Sequence, residues 1–151
     1  MNTFKLTTIL LLTLILNCFT FESKAQTDHI IPKPVSVVQQ KTDFVIDDNI
    51  QINLQENSRL MLQNAKYLSD QVKTLFAKDL KTVSGKNKLS NAINICIDKK
   101  LGEEAYSLEV TKKQINIAGG SPKGVFYGIQ TLLQIIPEEY ISKEPVNRIP
   151  V

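Results

Sequence analysis

A strand–turn–strand–helix unit between Glu104 and Pro137 places the strongest constraint on what this chain can fold into. Residues 106–110 alternate apolar and polar side chains, and residues 115–117 repeat the alternation after a turn at 112–113. This period of two is typical of strands with one buried face and one wet face. The unit therefore predicts two adjacent strands that are followed by a helix.

The helix of this unit has clear start and stop signals. Gly119-Gly120 ends the second strand, Ser121 is a suitable N-cap, and Pro122 suits the first helical position. Pro137 stops the helix. Between these signals, apolar residues recur at helical spacing, at Val125, Ile129, Leu132, Leu133 and Ile136. The pattern predicts an amphipathic helix with one face in the core.

The same stretch resembles the end of the small N-terminal domain of bacterial β-N-acetylhexosaminidases, glycoside hydrolase family 20. The resemblance rests on residues 104–110, 115–118 and 124–134, and most specifically on Gly-Val-Phe-Tyr-Gly-Ile-Gln-Thr-Leu-Leu-Gln. Ile31-Pro32-Lys33-Pro34 is similar to the family's usual start of that domain. In the family this domain precedes a catalytic (β/α) barrel, which the resemblance implies lies beyond this chain.

The rest of the chain predicts further strands and a second helix. Residues 35–40 and 43–46 can pair as a hairpin, and residues 50–54 and 92–97 alternate as strands. A helix that begins at Asn57 or Ser58 is expected to end near Ser84-Gly85. Its apolar stripe comprises Met61, Ala65, Leu68, Val72, Leu75, Phe76 and Leu80.

The order of these elements predicts an α+β fold. Strands follow one another without a helix between each pair, which argues against a doubly wound sheet. We expect a mostly antiparallel sheet with two amphipathic helices on one face, as in the hexosaminidase N-terminal domain. The predicted organisation is a signal peptide over 1–25, the accessory domain over 26–140, and the start of a linker to a missing barrel over 141–151.

The first 25 residues read as an export signal. Lys5 precedes an apolar run, and Ser23-Lys24-Ala25 places small residues where a signal peptidase cleaves, so we expect cleavage between Ala25 and Gln26. The run is too short for a comfortable membrane span. Cys18 raises a lipoprotein alternative, which is less favoured because Leu and Asn precede it. The expected location is periplasmic or secreted.

The sequence offers no catalytic, cofactor or metal site. Formal net charge is +3 with scattered charges, so no nucleic-acid surface is predicted. Cys96 has no base beside it, since the only histidine is His29 near the mature N-terminus. The loop from Gly119 to Gly124 has phosphate-loop spacing but lacks the Lys and Ser or Thr that should follow.

Carboxylate pairs give no glycosidase chemistry either. The family uses an adjacent Asp-Glu pair in the barrel, and no Asp-Glu dipeptide occurs in this sequence. The adjacent acids are Asp47-Asp48, Glu103-Glu104 and Glu138-Glu139, all in predicted turns or polar ends. We therefore expect the chain to be inactive alone, although it resembles part of an enzyme that releases terminal N-acetylhexosamine from glycans.

The predicted partner is the catalytic barrel of the parent enzyme. Gly124 and Gly128 lie one helical turn apart and are flanked by Phe126 and Tyr127, so this helix face could contact the barrel or pack on the domain's own sheet. Two other functions stay open at this stage. The chain could be the N-terminal domain of a family 84-type hexosaminidase, or a stand-alone exported module that binds glycans or a protein.

Overall fold

The computed structural model describes residues 30–31, 33–38, 43–136 and 148–150. This part of the chain forms seven strands and two helices. In chain order they are β1 (Asp43–Val45), β2 (Gln51–Leu54), α1 (Arg59–Phe76), β3 (Lys81–Ser84), β4 (Ala92–Ile97), β5 (Tyr106–Val110), β6 (Gln114–Gly119), α2 (Pro122–Gln134) and β7 (Arg148–Pro150). The signal peptide, its cleavage site, Cys18, His29 and Glu138-Glu139 lie outside the described residues.

The main sheet has five strands in the order β3-β2-β4-β6-β5. The pairs β3–β2, β2–β4 and β4–β6 are parallel, and only β5–β6 is antiparallel. The α+β class is confirmed, but the prediction of a mostly antiparallel sheet is wrong. The reason is that β2, α1 and β3 form a βαβ unit, whose helical crossover returns the chain to the start of a parallel strand.

The βαβ unit escaped prediction because α1 is shorter than its apolar pattern suggested. The helix ends at Phe76, and Ala77 adopts a left-handed conformation with φ of 54° while its N–H donates to the carbonyl of Lys73. The expected end at Ser84-Gly85 is therefore wrong. Residues 81–84 instead form the edge strand β3, three of whose four residues are exposed, so it carries no alternating apolar pattern.

The second helix follows its sequence signals. The hydroxyl of Ser121 accepts from the backbone N–H groups of Lys123 and Gly124, and Pro122 begins α2 as predicted. Both helices contribute to one core with alternate residues of the sheet, such as Ile52, Ile93 and Ile117. The two helices therefore cover the same face of the sheet. No helix in the described ranges combines the length and the apolar character that a membrane crossing requires.

The other face of the sheet is crossed by residues 85–91. Because β3 and β4 run in the same direction on either side of β2, this loop must return from the end of β3 to the start of β4. Its backbone groups find partners in side chains of the sheet. Asn53 donates to the carbonyl of Asn87 at 2.8 Å, and Asn94 exchanges two hydrogen bonds with the backbone of Leu89.

These two asparagines belong to a row that runs across four strands. Asn53, Asn94 and Asn116 occupy matching positions on β2, β4 and β6. Nδ2 of Asn53 donates to Oδ1 of Asn94, and Nδ2 of Asn94 donates to Oδ1 of Asn116. Nδ2 of Asn116 then donates to Glu109 on β5 at 2.7 Å. All three asparagines are buried, and Oδ1 of Asn53 is left without a partner.

Leu89 fixes the direction of this amide row. Its N–H donates to Oδ1 of Asn94, and its C=O accepts from Nδ2 of Asn94. Inverting the Asn94 amide would place Oδ1 against the C=O of Leu89, so only one orientation of the amide fits. Asn116 must then accept from Asn94 and turn its own NH₂ group toward β5. The row therefore needs an acceptor at position 109, which Glu109 supplies.

The N-terminal segment contacts the end of the domain. β1 pairs antiparallel with β7, so the predicted hairpin between residues 35–40 and 43–46 is wrong, and residues 33–38 form no strand. The partner of β1 lies about 100 residues away, beyond the reach of hairpin signals. The side-chain amide of Gln134 bonds both the N–H and the C=O of Ile31 and holds this segment against the end of α2.

The amide row predicts a specific effect of substitution at Glu109. Glu109→Lys would place a donor opposite the NH₂ group of Asn116, and losing this acceptor should lower the free energy of unfolding by about 1 kcal/mol or more. Glu109→Gln retains an acceptor oxygen and should cost less. Urea denaturation of the two variants tests this difference; equal stability would show that the row does not depend on the acceptor.

Candidate functional site

Three of the four acids in the two described pairs, Asp47, Asp48 and Glu104, bind the chain's own groups. Asp47 accepts from the backbone N–H of Asn49 at 2.8 Å, and Asp48 forms an ion pair with Lys78. Glu104 forms an ion pair with Lys123 and raises the pKa of that lysine. Among the described residues, no group of three or more His, Cys, Asp or Glu side chains could hold a metal ion.

The glycine-rich turn before α2 is filled by the chain itself. The Ser121 hydroxyl caps α2 and also donates to the carbonyl of Glu103 at 2.6 Å. Cβ atoms built on Gly120 and Gly124 would lie 2.0 Å and 2.4 Å from backbone oxygens of the 101–105 loop. These glycines therefore serve close backbone packing against the 101–105 loop.

A shallow cleft of about 330 Å³ lies at the carboxyl ends of β2 and β4. It is lined by Gln55, Glu56, Lys86, Cys96 and Ile97. Burial raises the pKa of the Cys96 thiol, which favours the protonated and weakly nucleophilic form at neutral pH. This arrangement supplies no nucleophile–base pair.

The two glycines of α2 face the chain's own sheet. A Cβ on Gly128 would lie 2.7 Å from Cγ2 of Ile117 and 3.3 Å from the ring of Tyr106, while Gly124 lies against the backbone of Ala105. Gly128 and Gly124 thus allow α2 to pack closely on β5, β6 and the loop before them. Of the three residues predicted to contact a barrel, Tyr127 alone keeps an outward portion, because it is only partly buried.

The outward side of the helix layer carries an aromatic face, which we define by Leu60, Tyr67, Phe126, Tyr127 and Gln130. The ring centroids of Tyr67 and Phe126 lie 5.5 Å apart, and those of Phe126 and Tyr127 lie 6.4 Å apart. Nε2 of Gln130 donates to the hydroxyl of Tyr67 at 2.9 Å, which joins the two helices. The face is thus partly ordered by its own contacts.

Part of this face is solvent-exposed. Leu60 and Phe126 are 58% and 37% exposed. Leu60 and Tyr67 lie seven residues apart on α1, on one side of the helix. Sequence reasoning identified Phe126 and Tyr127 but missed Leu60 and Tyr67, although their spacing off the main apolar stripe was a usable signal. Apolar residues that gather on an outer surface are typical of a contact with another protein surface.

Comparison with known proteins identifies the family. The family model described as glycosyl hydrolase family 20, domain 2, matches residues 27–150. The chain belongs to glycosyl hydrolase family 20. The match confirms the resemblance seen in the sequence, and it favours family 20 over the family 84 alternative. Within family 20, the chain corresponds to the domain that the model describes as domain 2.

A protein from Porphyromonas gingivalis named Beta-hexosaminidase is 34% identical to this family 20 chain over 120 residues. The match covers 78% of this chain and 15% of that protein. The chain therefore spans a small part of the length of this relative. The relative's name describes a protein much longer than the domain seen here.

Solved family 20 structures share the fold. The β-N-acetylhexosaminidase from Streptomyces coelicolor matches with a TM-score of 0.70 and 22% identity, covering 82% of this chain and 25% of that one. The chitobiase from Flavobacterium johnsoniae matches with a TM-score of 0.62 and 22% identity, covering 82% and 20% of the two chains. At this identity the likeness supports the fold alone.

The inward packing of α2 can be tested at Gly128. Gly128→Ala gains about 1 kcal/mol in helix propensity, but forcing a methyl group against Ile117 should cost about 1–3 kcal/mol in overpacking. We expect a net loss in the free energy of unfolding. Gly102→Ala is the control, because its Cβ would have no neighbour closer than 3.8 Å. A Gly128→Ala protein as stable as wild type would contradict this packing.

Proposed function

We propose that this chain is the non-catalytic accessory domain of an exported family 20 β-N-acetylhexosaminidase, and that it supports the catalytic barrel of that enzyme. The observation that carries the proposal is the match of residues 27–150 to domain 2 of the family. The parent activity would be hydrolysis of terminal N-acetylhexosamine residues in glycans, without a metal or organic cofactor.

The accessory role agrees with the chemistry of the described residues. Glycoside hydrolysis needs a carboxylic acid at the bond, together with a second carboxylate or help from the substrate. The acids at 47–48 and 104 lie in exposed positions and pair with the chain's own groups. The catalytic acid would therefore come from the barrel, and this domain would contribute stability and shape.

The aromatic face is the surface that we propose for the barrel contact. Tyr127 and Phe126 on α2 would contact the barrel, while Gly124 and Gly128 set how closely α2 sits on its own sheet. Large aromatic side chains contribute much of the binding energy in protein interfaces, because they bury a large area at a small entropic cost. The exposed apolar surface of Leu60 and Phe126 would be covered in the assembled enzyme.

A binding experiment tests this function. Residues 26–151 would be mixed with the Porphyromonas gingivalis relative from which the matching 120-residue region has been removed, and the dissociation constant measured by calorimetry. Phe126→Ser and Tyr127→Ser should each weaken association about tenfold or more, since losing an interface aromatic typically costs over 1 kcal/mol.

Leu62→Ser is the matched control for this experiment. Leu62 is an exposed apolar residue of α1, 48% exposed, and it lies outside the aromatic face. We expect its variant to bind like wild type. Lack of association by the wild-type chain, combined with saturable binding of a glycan, would replace the accessory function with a stand-alone binding module.

Export forms the second part of the proposal and has its own test. The leader over 1–25 should be removed between Ala25 and Gln26 in a bacterial host, because small residues precede that bond. Mass spectrometry of the protein recovered from the periplasm should give an N-terminus at Gln26. A lipid-modified N-terminus at Cys18 would instead support the lipoprotein alternative.

A further inference from the structure

The five-stranded sheet ends at β3 on one side and at β5 on the other. Strand β3 has two features that discourage an edge from pairing with another chain, since it has only four residues and begins with Lys81. Strand β5 spans Tyr106–Val110 and contains neither lysine nor proline. Within the described part of the chain, no strand pairs with its outer side. Strand β5 is therefore the edge to which a further strand could add.

The backbone of β5 turns every second residue toward this outer side. In an antiparallel pair, residues bonded across the pair alternate with residues whose N–H and C=O groups point away from it. The N–H of Thr111 donates to the carbonyl of Gln114 at 3.0 Å, so the odd-numbered residues of β5 are the ones bonded to β6. The outward backbone groups belong to Tyr106, Leu108 and Val110.

The charges that flank β5 are arranged symmetrically about Leu108. Glu103 and Glu104 precede Leu108 by the same separations at which Lys113 and Lys112 follow it. All four charged residues are exposed. If two copies of β5 paired antiparallel with Leu108 opposite itself, the glutamate pair of each copy would lie beside the lysine pair of the other. The flanking charges are thus complementary to those of a second copy.

The same register satisfies the backbone of both strands. It places Tyr106 opposite Val110 of the other copy, so that outward N–H groups meet outward C=O groups at every bonded position. A register centred on Ser107 or Glu109 would also pair outward groups, but it would move the lysines away from the glutamates. The charges therefore select the register centred on Leu108, because opposite charges on facing strands stabilise a pairing.

From this symmetry we propose that β5 is a pairing edge for a second copy of this chain, with the two sheets joined across a two-fold axis at Leu108. A two-fold interface brings the same patch of both copies together, so the patch must be complementary to itself. Glu104 already forms an ion pair with Lys123 of its own chain, and Lys112 of the second copy would join that pair. The inference goes beyond the proposed function, since it involves neither the catalytic barrel nor the aromatic face.

Sedimentation velocity of residues 26–151 at increasing concentration tests the inference. We expect the wild-type chain to form dimers in a concentration-dependent way. Lys112→Glu/Lys113→Glu should weaken dimerisation about tenfold or more, because both flanks would then set like charges against each other. Glu103→Lys/Glu104→Lys should have the same effect for the same reason. Both variants should fold, since the substituted side chains are exposed.

A mixture of these two variants separates specific pairing from a general effect of charge. In a mixed dimer every glutamate again faces a lysine, so the variants should associate with each other at least as strongly as wild type does with itself. Added salt should weaken this mixed dimer, because exposed charges are screened. Lys99→Glu/Lys100→Glu is the matched control, since it makes the same charge change in an exposed lysine pair outside β5, and its dimerisation should match wild type.

Hydrogen exchange measured by NMR gives an independent readout of the register. The amides of Tyr106, Leu108 and Val110 should exchange more slowly as the concentration rises, whereas the intervening amides already bond to β6 and should change little. A wild-type chain that stays monomeric up to about 1 mM, or a variant mixture that associates no better than its components, would overturn the inference. The accessory function would stand in that case, because its own test measures binding to the truncated relative.

Loss of binding to that relative would, conversely, overturn the accessory function and leave dimerisation through β5 intact.

Discussion

Hydrogen bonds from asparagine side chains to the loop over residues 85–91 are the interaction on which the sheet order depends. The loop must cross the sheet because β3 and β4 are both parallel to β2. Asn53 and Asn94 pair with the C=O of Asn87 and with the N–H and C=O of Leu89, the backbone groups that face the sheet. With apolar side chains at these positions, each unpaired group would cost about 1–3 kcal/mol, and the short crossover would be unfavourable.

Helix α2 combines a sheet-facing side, where Gly124 and Gly128 stand among buried apolar side chains, with an outer side that carries aromatic rings. Gly128 brings the helix close to Ile117, and the turn before α2 packs against the 101–105 loop. Because the inner side is occupied in this way, Phe126 and Tyr127 contact each other and Tyr67 near the outer surface. Close packing on the sheet side and aromatic exposure on the other side agree with the barrel contact that we propose for this helix.

Predictability varied with how local each signal is. The start of α2 was predictable because Ser121 and Pro122 act within one helical turn. The strand β3 was not predictable, since its mostly exposed residues lack an apolar alternation. The preceding helix ends at Ala77 in a left-handed conformation, where a glycine would have been the usual sequence signal for a helix end. The aromatic face was half predicted: Phe126 and Tyr127 stand together in the sequence, whereas Tyr67 joins them only through the packing of α1 on α2.

The sequence by itself determined the family, the strands β5 and β6, and helix α2, because caps, turns and side-chain period act over a few residues. It also argued against the phosphate-loop chemistry that the glycine spacing suggested, since the required lysine does not follow. Only the tertiary structure decided the direction of the strands, the burial of Asn53, Asn94 and Asn116, and the pairing of β1 with β7. These features depend on contacts between residues far apart in the chain, and alternation along one strand carries no information about its neighbour's direction.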